Sequence, residues 1–304
     1  MLFRSLRTLK AHSASVTGVV VTADGKRGVS ASWDKTLKVW ELDSGRELLT
    51  LTGHKDSVNG VAVTPDGQRA VSASYTELKV WELDSGRELR TLTGHSNYVN
   101  AVAVTADGKR AVTAAGDRLL HSGELKVWEL GSGRELRTLT GHTSGVNGAA
   151  VTPDGQRAVS ASDDNTLKVW ELVSGRELRT LSGHVWFVRA VAVTPDGQRA
   201  ISASWDMTLK VWDLENGREL RTLAGHTSSV HGVALSGDGR IAVSASLDAT
   251  LKVWEVETGA CLATFTCDAA VYCCAFSDAL KIIVAGDAGD HLHFLRLEEP
   301  KPNI

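Results

Sequence analysis

The sequence predicts an all-β fold of seven similar units, each with four short antiparallel strands, arranged as one closed ring of 304 residues. Three observations lead to this prediction. A hexapeptide recurs at a nearly constant interval, turn residues fall at fixed places between its copies, and the two ends of the chain complement each other. Because no segment shows the 3.6-residue period of a helix, we expect helix content near zero.

The recurring hexapeptide is LKVW(E/D)(L/V). Its six copies begin at Leu37, Leu78, Leu125, Leu167, Leu209 and Leu251, so neighbouring copies are 41 to 47 residues apart. Around each copy, alternating or β-branched runs such as VNGVAV, RAVSAS, LKVWEL and RELRTL predict four strands. Asp-Gly turns separate the first and second strands, and Ser-Gly turns separate most third and fourth strands. Each unit therefore predicts one four-stranded sheet.

Two dipeptides accompany the strands. Gly-His pairs, with Ala11-His12 as a variant, end at His12, His54, His95, His142, His184 and His226. Trp-Glu or Trp-Asp pairs begin at Trp40, Trp81, Trp128, Trp170, Trp212 and Trp254. With these pairs the chain, from Leu2 to about Leu297, resembles the WD-repeat family, which implies a β-propeller. It is similar to bacterial WD-repeat domains, including the C-terminal sensor propellers of signal-transduction ATPases, which implies an excised sensor or a free adaptor.

The seventh unit is split between the two ends of the chain. VYCCAF, KIIVAG and HLHFLRL near the C-terminus predict three strands without a fourth, whereas FRSLRTL at residues 3–9 matches RELRTL. Pairing of residues 3–9 with residues 291–297 would close the ring and remove two open sheet edges. We therefore expect residues 1–297 to form one domain and residues 298–304 to form a tail.

The family resemblance implies a buried hydrogen-bonded set of His, Ser or Thr, Asp and Trp in most units, with the serine from the second strand (Ser30 or Ser32 in the first unit). The expected sets are His12, Asp34 and Trp40; His142, Asp164 and Trp170; His184, Asp206 and Trp212; and His226, Asp248 and Trp254. A feature copied in so many units indicates a structural role.

Three units depart from this pattern. The second has Ser-Tyr-Thr-Glu where Asp is expected, so His54 is predicted to lack a carboxylate partner. The third has an insertion at residues 116–123 that leaves only Asp117 as a candidate for His95. The seventh has Cys267 in place of His and Leu295 in place of Trp.

In a repeat protein the recurring residues specify the fold, so we expect functional residues among those that do not recur. The large aromatic residues outside the repeat are Trp33, Tyr75, Tyr98, Trp186, Phe187, Trp205 and Tyr272. Because strand direction alternates within a sheet, we expect all of them at the loops before the first strands and the turns between second and third strands, the top face. Tyr and Trp are enriched at binding hot spots, although these rings could instead only cover the ends of the sheets.

A second group should line the top of the central channel, one residue after the first valine of each innermost strand. Its members are Thr17, Asn59, Asn100, Asn147, Arg189, His231 and Tyr272. This polar mouth could anchor a peptide. Arg189 could contact a partner or stack on the tryptophans near it. The opposite, bottom face repeats mixed-charge turns.

Composition and motifs argue against several classes of function. With 33 Lys+Arg, 36 Asp+Glu and a net charge of −3, the chain lacks the excess of basic residues typical of nucleic-acid binders. Phosphate-loop and nucleophile-elbow motifs are absent, and His291 and His293 lack a third ligand, so we expect no enzyme activity, cofactor or metal. The spacing of the four cysteines fits neither zinc nor disulfides, which indicates buried reduced thiols.

The prediction is therefore a monomeric scaffold or sensor that binds a protein or peptide on its top face and has no enzymatic activity. No apolar run of 18 residues or signal peptide is found, so we expect a cytoplasmic location and no membrane partner. The alternatives are an architectural spacer without a ligand of its own and nucleic-acid binding through the top face.

Overall fold

A computed structural model describes residues 1–117 and 122–298, and all regular elements in this part of the chain are β-strands. The N-terminal strand is β1 (Leu2–Lys10). The strands of blades one to three follow as β2 (Val16–Val21), β3 (Arg27–Ser32), β4 (Leu37–Glu41), β5 (Glu47–Leu51), β6 (Val58–Val63), β7 (Arg69–Ser74), β8 (Glu77–Glu82), β9 (Glu88–Thr93), β10 (Val99–Val104), β11 (Arg110–Asp117), β12 (Ser122–Glu129) and β13 (Glu135–His142).

The remaining blades continue the same order. Their strands are β14 (Val146–Val151), β15 (Arg157–Ser162), β16 (Thr166–Glu171), β17 (Glu177–Ser182), β18 (Val188–Val193), β19 (Arg199–Ser204), β20 (Thr208–Asp213), β21 (Glu219–Ala224), β22 (Val230–Leu235), β23 (Ile241–Ser246), β24 (Thr250–Glu255), β25 (Cys261–Thr266), β26 (Val271–Ser277), β27 (Ile282–Asp287) and β28 (His291–Glu298). Four antiparallel strands form each blade, and the innermost strands follow one another around a closed ring. The predicted seven-bladed propeller is confirmed.

Blade seven is completed by the N-terminal strand. Its order is β1-β28-β27-β26, and β1 pairs with β28 from Leu2 opposite Glu298 to Lys10 opposite His291. The predicted closure of the ring by the N-terminal strand is confirmed. Pairing reaches Glu298, one residue beyond the predicted domain boundary, while residues 299–304 of the predicted tail lie outside the described residues.

The core lies between neighbouring blades. The layer between blades one and two, for example, contains Leu37 and Val39 of blade one and Trp81 and Leu83 of blade two, all buried. Second strands such as β7 are buried along most of their length because a blade covers each face, whereas outer strands such as β9 are mostly exposed and polar. Charged side chains on outer strands discourage edge-to-edge association.

The cysteines differ in one respect from the prediction of buried thiols. All four are free, and Cys267, Cys273 and Cys274 are buried, but Cys261 on β25 is exposed. Burial raises the pKa of the Cys267 and Cys273 thiols to about 12, so both stay protonated and unreactive at neutral pH. Separately, none of the described residues forms a helix long and apolar enough to cross a membrane.

Candidate functional site

A β-bulge in every innermost strand shapes the channel mouth. In each of the seven, the register shifts at the second residue, which is left without a directly paired residue on the next strand. Bulges re-aim side chains, and these seven side chains line one cavity of about 340 Å³ together with Trp33 and Leu247. The residues are those predicted for the mouth: Thr17, Asn59, Asn100, Asn147, Arg189, His231 and Tyr272.

In blades one to four the mouth residue also joins adjacent blades. Thr17 Oγ1 donates to the Val58 carbonyl of the next blade at 2.6 Å, and Asn59 Nδ2 donates to the Val99 carbonyl at 3.1 Å. Asn100 and Asn147 repeat this bond at 2.9 and 3.1 Å. Each of these side chains therefore uses a donor within the ring, and Asn147 also uses its amide oxygen, which accepts from Arg189.

Arg189 in blade five contacts residues of blades four and five. Its Nη1 donates to Asn147 Oδ1 at 2.9 Å and lies 3.6 Å from Asp163 Oδ1, while its guanidinium carbon lies 5.7 Å from the Trp205 ring centroid. The intramolecular cation–π stack is thus the arrangement observed. From the sequence, Asp163 was not identified as a site residue, although it occupies the turn position that holds Trp33 in blade one and Trp205 in blade five.

His231 connects blade five to blade seven. The Trp205 Nε1–H donates to His231 Nε2 at 3.0 Å, with the two rings stacked at 25°. His231 also lies against Tyr272, with centroids 5.5 Å apart. The pKa of His231 is lowered to about 3, mainly because the ring is buried and to a smaller extent because the positive charge of Arg189 is near. The imidazole is therefore neutral at physiological pH and accepts the indole proton.

The non-repeating aromatic residues form an arc around the mouth. Successive ring centroids lie 5.3 to 6.0 Å apart along Trp186, Phe187, Trp205, His231, Tyr272 and Trp33. A second group, Tyr75 and Tyr98, packs edge to face at 5.0 Å and shares a cavity with Trp33. We call these eight residues the aromatic arc. All predicted aromatic candidates thus lie together on one face.

The loop before β18 and the turn between β19 and β20 together form what we call the corner of blade five. This corner also exposes residues that were not predicted. Val185 directly precedes Trp186, Met207 lies in the turn between β19 and β20, and both are exposed, as is Trp186 at 55%. The Val185 amide donates to Asp206 Oδ2 at 3.2 Å, and Met207 follows Asp206 directly, so one carboxylate brings both residues together. A search restricted to aromatic residues could not find them, but both depart from the small or polar residues of other blades.

Beneath this face, four blades contain the hydrogen-bonded sets implied by the resemblance. His Nδ1 lies 2.6 to 2.8 Å from Asp Oδ2, His Nε2 lies 2.6 to 2.7 Å from Ser Oγ, and Trp Nε1–H donates to Ser Oγ at 2.8 to 2.9 Å. In the first blade the serine is Ser30, not Ser32. The sets are His12, Ser30, Asp34 and Trp40; His142, Ser160, Asp164 and Trp170; His184, Ser202, Asp206 and Trp212; and His226, Ser244, Asp248 and Trp254.

The predictions for blades two and three were wrong. His54 does have a carboxylate partner, Glu77 at 3.2 Å, and His95 bonds Glu124 at 2.8 Å rather than Asp117. In both blades the longer glutamate reaches the histidine from the position directly before LKVW, where Asp-containing blades carry Thr. In the sequence, these two blades have ELKVW where the four Asp-containing blades have TLKVW, and this difference indicates the alternative carboxylate partner. Residues 118–121 of the insertion lie outside the described residues.

Blade seven uses a different network. Asp287, 1% exposed, accepts the backbone N–H groups of Gly289 and His291 at 2.9 Å and bonds His293 Nε2 at 2.9 Å. His293 Nδ1 lies 3.1 Å from Thr8 Oγ1 on β1. Burial alone raises the pKa of Asp287, but the bonds from His293 and His291 outweigh it and leave that pKa below its usual value. The network therefore joins both ends of the chain.

None of the described residues forms a group of three or more His, Cys, Asp or Glu suited to hold a metal ion. The recurring imidazole–carboxylate pairs are buried beneath the face, so their chemistry is structural: each satisfies polar groups that would be costly to bury alone.

Seven blades of four strands, six of them built on a His–Ser/Thr–carboxylate–Trp network, surround a polar channel mouth and define a β-propeller of repeated sequence units. Five segments match the family model described as WD domain, G-beta repeat, at residues 3–41, 45–82, 86–129, 133–171 and 175–213. The chain belongs to the WD40 family. Residues 226–297 match the model described as TEP-1 C-terminal beta-propeller.

Curated relatives match over about one blade. MST50-interacting protein 11 of Pyricularia oryzae is 54% identical over 39 residues, which are 13% of this chain and 12% of that protein. Small ribosomal subunit protein RACK1 is 45% identical over 42 residues in Caenorhabditis elegans, covering 14% of this chain and 13% of that protein. In Neurospora crassa it is 51% identical over 39 residues, covering 13% and 12%. WD40 propellers are typical of protein-interaction scaffolds. The resemblance to bacterial sensor propellers stays a prediction.

Proposed function

We propose that this chain is a monomeric, cytoplasmic scaffold or sensor without enzymatic activity, which binds a protein or peptide partner on its top face. The observation that carries this proposal is the aromatic arc. Aromatic rings supply large contact area at a low cost in conformational entropy, and here neighbouring rings already hold one another in place. A surface fixed before binding loses less freedom on complex formation.

The corner of blade five is the proposed centre of the contact. Trp186, Val185 and Met207 are exposed there, and the Trp186 ring packs edge to face against Phe187, which in turn packs against Trp205. Exposed apolar side chains on a rigid base are the composition of an interface hot spot. The mouth cavity beside this corner offers room and polar atoms for part of a peptide chain.

The experiment is a selection of binders from a random peptide library displayed on phage, followed by calorimetry with the selected peptides. The double variant Trp186→Ala, Met207→Ala should weaken binding about thirtyfold, since loss of a hot-spot residue costs about 2 kcal/mol or more. The matched control is Val173→Ala, which removes a side chain that is 59% exposed on a bottom turn of blade four.

The control variant should bind like the parent protein. If Val173→Ala weakens binding while the double variant does not, the binding face is the bottom one and the proposal is wrong. The architectural-spacer alternative makes a different prediction: no peptide is enriched above a control protein without a propeller.

A further inference from the structure

A second small cavity lies on the top face, away from the corner of blade five. It measures about 220 Å³ and is lined by Trp33, Asp56, Ser57, Asn59, Tyr75 and Tyr98, from the tops of blades one, two and three. We propose that this cavity is a cation cage that binds the methylated ammonium group of a lysine side chain in a peptide. The proposal rests on the proposed function, because it gives the top face a specific chemical preference.

The three rings provide the walls of the cage. The planes of Tyr75 and Tyr98 meet at 79°, so their ring systems form a corner, and Trp33 also lines the cavity. All three side chains are about half exposed. Aromatic faces carry partial negative charge and attract cations within about 6 Å. A guest would cover ring surface that now faces solvent.

Backbone hydrogen bonds fix the main chain of each residue that carries a ring. The Trp33 amide donates to the Ser15 carbonyl at 3.1 Å, the Tyr75 carbonyl accepts from Val99, and the Tyr98 carbonyl accepts from Gly116 at 3.0 Å. The walls therefore stand on the scaffold of three different blades. A cage held in this way does not have to form when its ligand arrives.

Tyr75 occupies a backbone position that does not suit a tyrosine. The turn between β7 and β8 has only two residues, and Tyr75 has φ +37°. Such two-residue turns favour Gly, Asn or Asp, because a bulky side chain is strained at positive φ. Strained residues persist most often at functional sites. The strain is thus a second observation that points to a role for this ring other than stability.

Charge complements the aromatic walls. Asp56 lines the cavity, and within residues 1–117 and 122–298 its carboxylate forms no ion pair; it accepts the Ser57 amide at 2.7 Å. Lys35 and Lys55 are near in sequence, but neither lines the cavity, and the Lys35 ammonium donates to the Lys55 carbonyl at 3.0 Å. A methylated ammonium is less strongly hydrated than a bare one and loses less on entering an aromatic site.

The test is a titration with two isosteric probes, the blocked amino acid acetyl-trimethyllysine methylamide and its uncharged analogue with a tert-butyl group. The readout is the indole N–H signal of Trp33 in an NMR spectrum, assigned with Trp33→Phe. The charged probe should shift this signal and saturate, and it should bind at least about tenfold more tightly than the neutral probe. Equal binding of the two probes, or no saturable shift, would overturn the proposal.

Two variants separate the cage from general effects on the fold. Tyr75→Gly should weaken binding of the charged probe at least about tenfold, yet melt no lower than the parent protein, because glycine relieves the positive φ. Val173→Ala, which changes an exposed residue on the bottom face, should leave probe binding unchanged. If Tyr75→Gly binds like the parent, the cage is wrong.

Two further results locate the ligand and keep the proposals apart. A lysine peptide should bind more weakly than its trimethylated form; if the order is reversed, the chemistry is wrong. If choline binds but the trimethyllysine probe does not, the ligand is a small molecule and not a peptide. Because these probes report on Trp33 and the phage-selected peptides on Trp186, failure of the cage leaves the binding function of blade five standing, and the two failures are distinguishable.

Discussion

Blade five and blade seven have the same four-stranded geometry but are built in different ways. Blade five is one continuous segment with a complete set of His184, Ser202, Asp206 and Trp212. Blade seven combines strands from both ends of the chain and buries Asp287 and His293 instead. One sheet shape therefore accepts two polar networks, provided that each satisfies its buried groups.

The difference lies in what each network joins. In blade five, the carboxylate of Asp206 fixes the turn and the loop that carry Met207 and Val185, so the network supports the top face. In blade seven, His293 reaches across to Thr8 on β1, so the network supports ring closure. The following predictions test this division, from the largest expected effect to the smallest.

Deletion of residues 1–10 should have the largest effect. It removes β1, leaves β28 with unpaired backbone groups and uncovers the apolar residues that Phe3, Leu6 and Leu9 contact. We expect a loss on the order of 5 kcal/mol, given about 1.5 to 3 kcal/mol for each fully buried large apolar side chain, together with self-association. Thermal unfolding and gel filtration measure both effects.

Adding a synthetic peptide of residues 1–10 should restore much of the lost stability, because the peptide can pair with β28. A truncated protein that melts like the parent and elutes as a monomer would show that blade seven does not depend on its N-terminal strand.

The two buried carboxylates should be of similar importance. Asp206→Ala and Asp287→Ala each remove an acceptor of three or more hydrogen bonds, and each should cost about 3 kcal/mol in urea titrations. Asp43→Ala, which changes an exposed bottom-face carboxylate, should leave the midpoint unchanged. A cost near zero for Asp287→Ala alone would show that its network does not replace the set of blade five.

His231, between the two blades, should make stability depend on pH. Its pKa is about 3 in the folded protein and near 6.5 in the unfolded chain, so the unfolded chain takes up the proton first as pH falls. The contribution is fully present above about pH 6.5 and is lost progressively towards pH 3. Between pH 7 and pH 5 it amounts to about 2 kcal/mol. His231→Gln should lose that much less stability over this range; identical pH profiles would contradict the prediction.

The smallest expected difference concerns the outer strands. Thr8→Val removes the hydroxyl bonded to the buried His293 and should cost about 1 kcal/mol. The equivalent Thr222→Val in blade five removes exposed bonds to Lys210 and Glu219, which remain paired with each other, and should cost less than about 0.5 kcal/mol. Equal costs in matched urea titrations would mean that the blade-seven network gives no extra support to closure.

The fold could be predicted because its signals are local and repeated. Strand alternation and Asp-Gly turns identify the blades from nearby residues, and the similarity of FRSLRTL to RELRTL identifies the closing strand. The arrangement of aromatic residues on one face followed from strand direction alone.

The contacts between side chains depended on details that a repeat does not encode. Glu77 reaches His54 because the turn before it is one residue shorter, and the pairing of Asp287 with His293 depends on the register across β27 and β28. The bulges that turn mouth residues inward also change backbone spacing without a residue pattern of their own. The sequence shows the type of each residue, but it does not show how far a side chain extends or in which register two strands pair.

The pairing of β1 with β28, which forms the seam of blade seven, determines on which face of the propeller the N-terminus lies. Leu2 lies opposite Glu298 at one end of the seam, and Met1 shares a cavity with Asp238 and Arg240 at the bottom of blade six. The start of the chain therefore leaves the disc on the side away from the aromatic arc. A protein anchored to a sensor chip or a bead through residues added before Met1 would therefore present its aromatic arc to the solution.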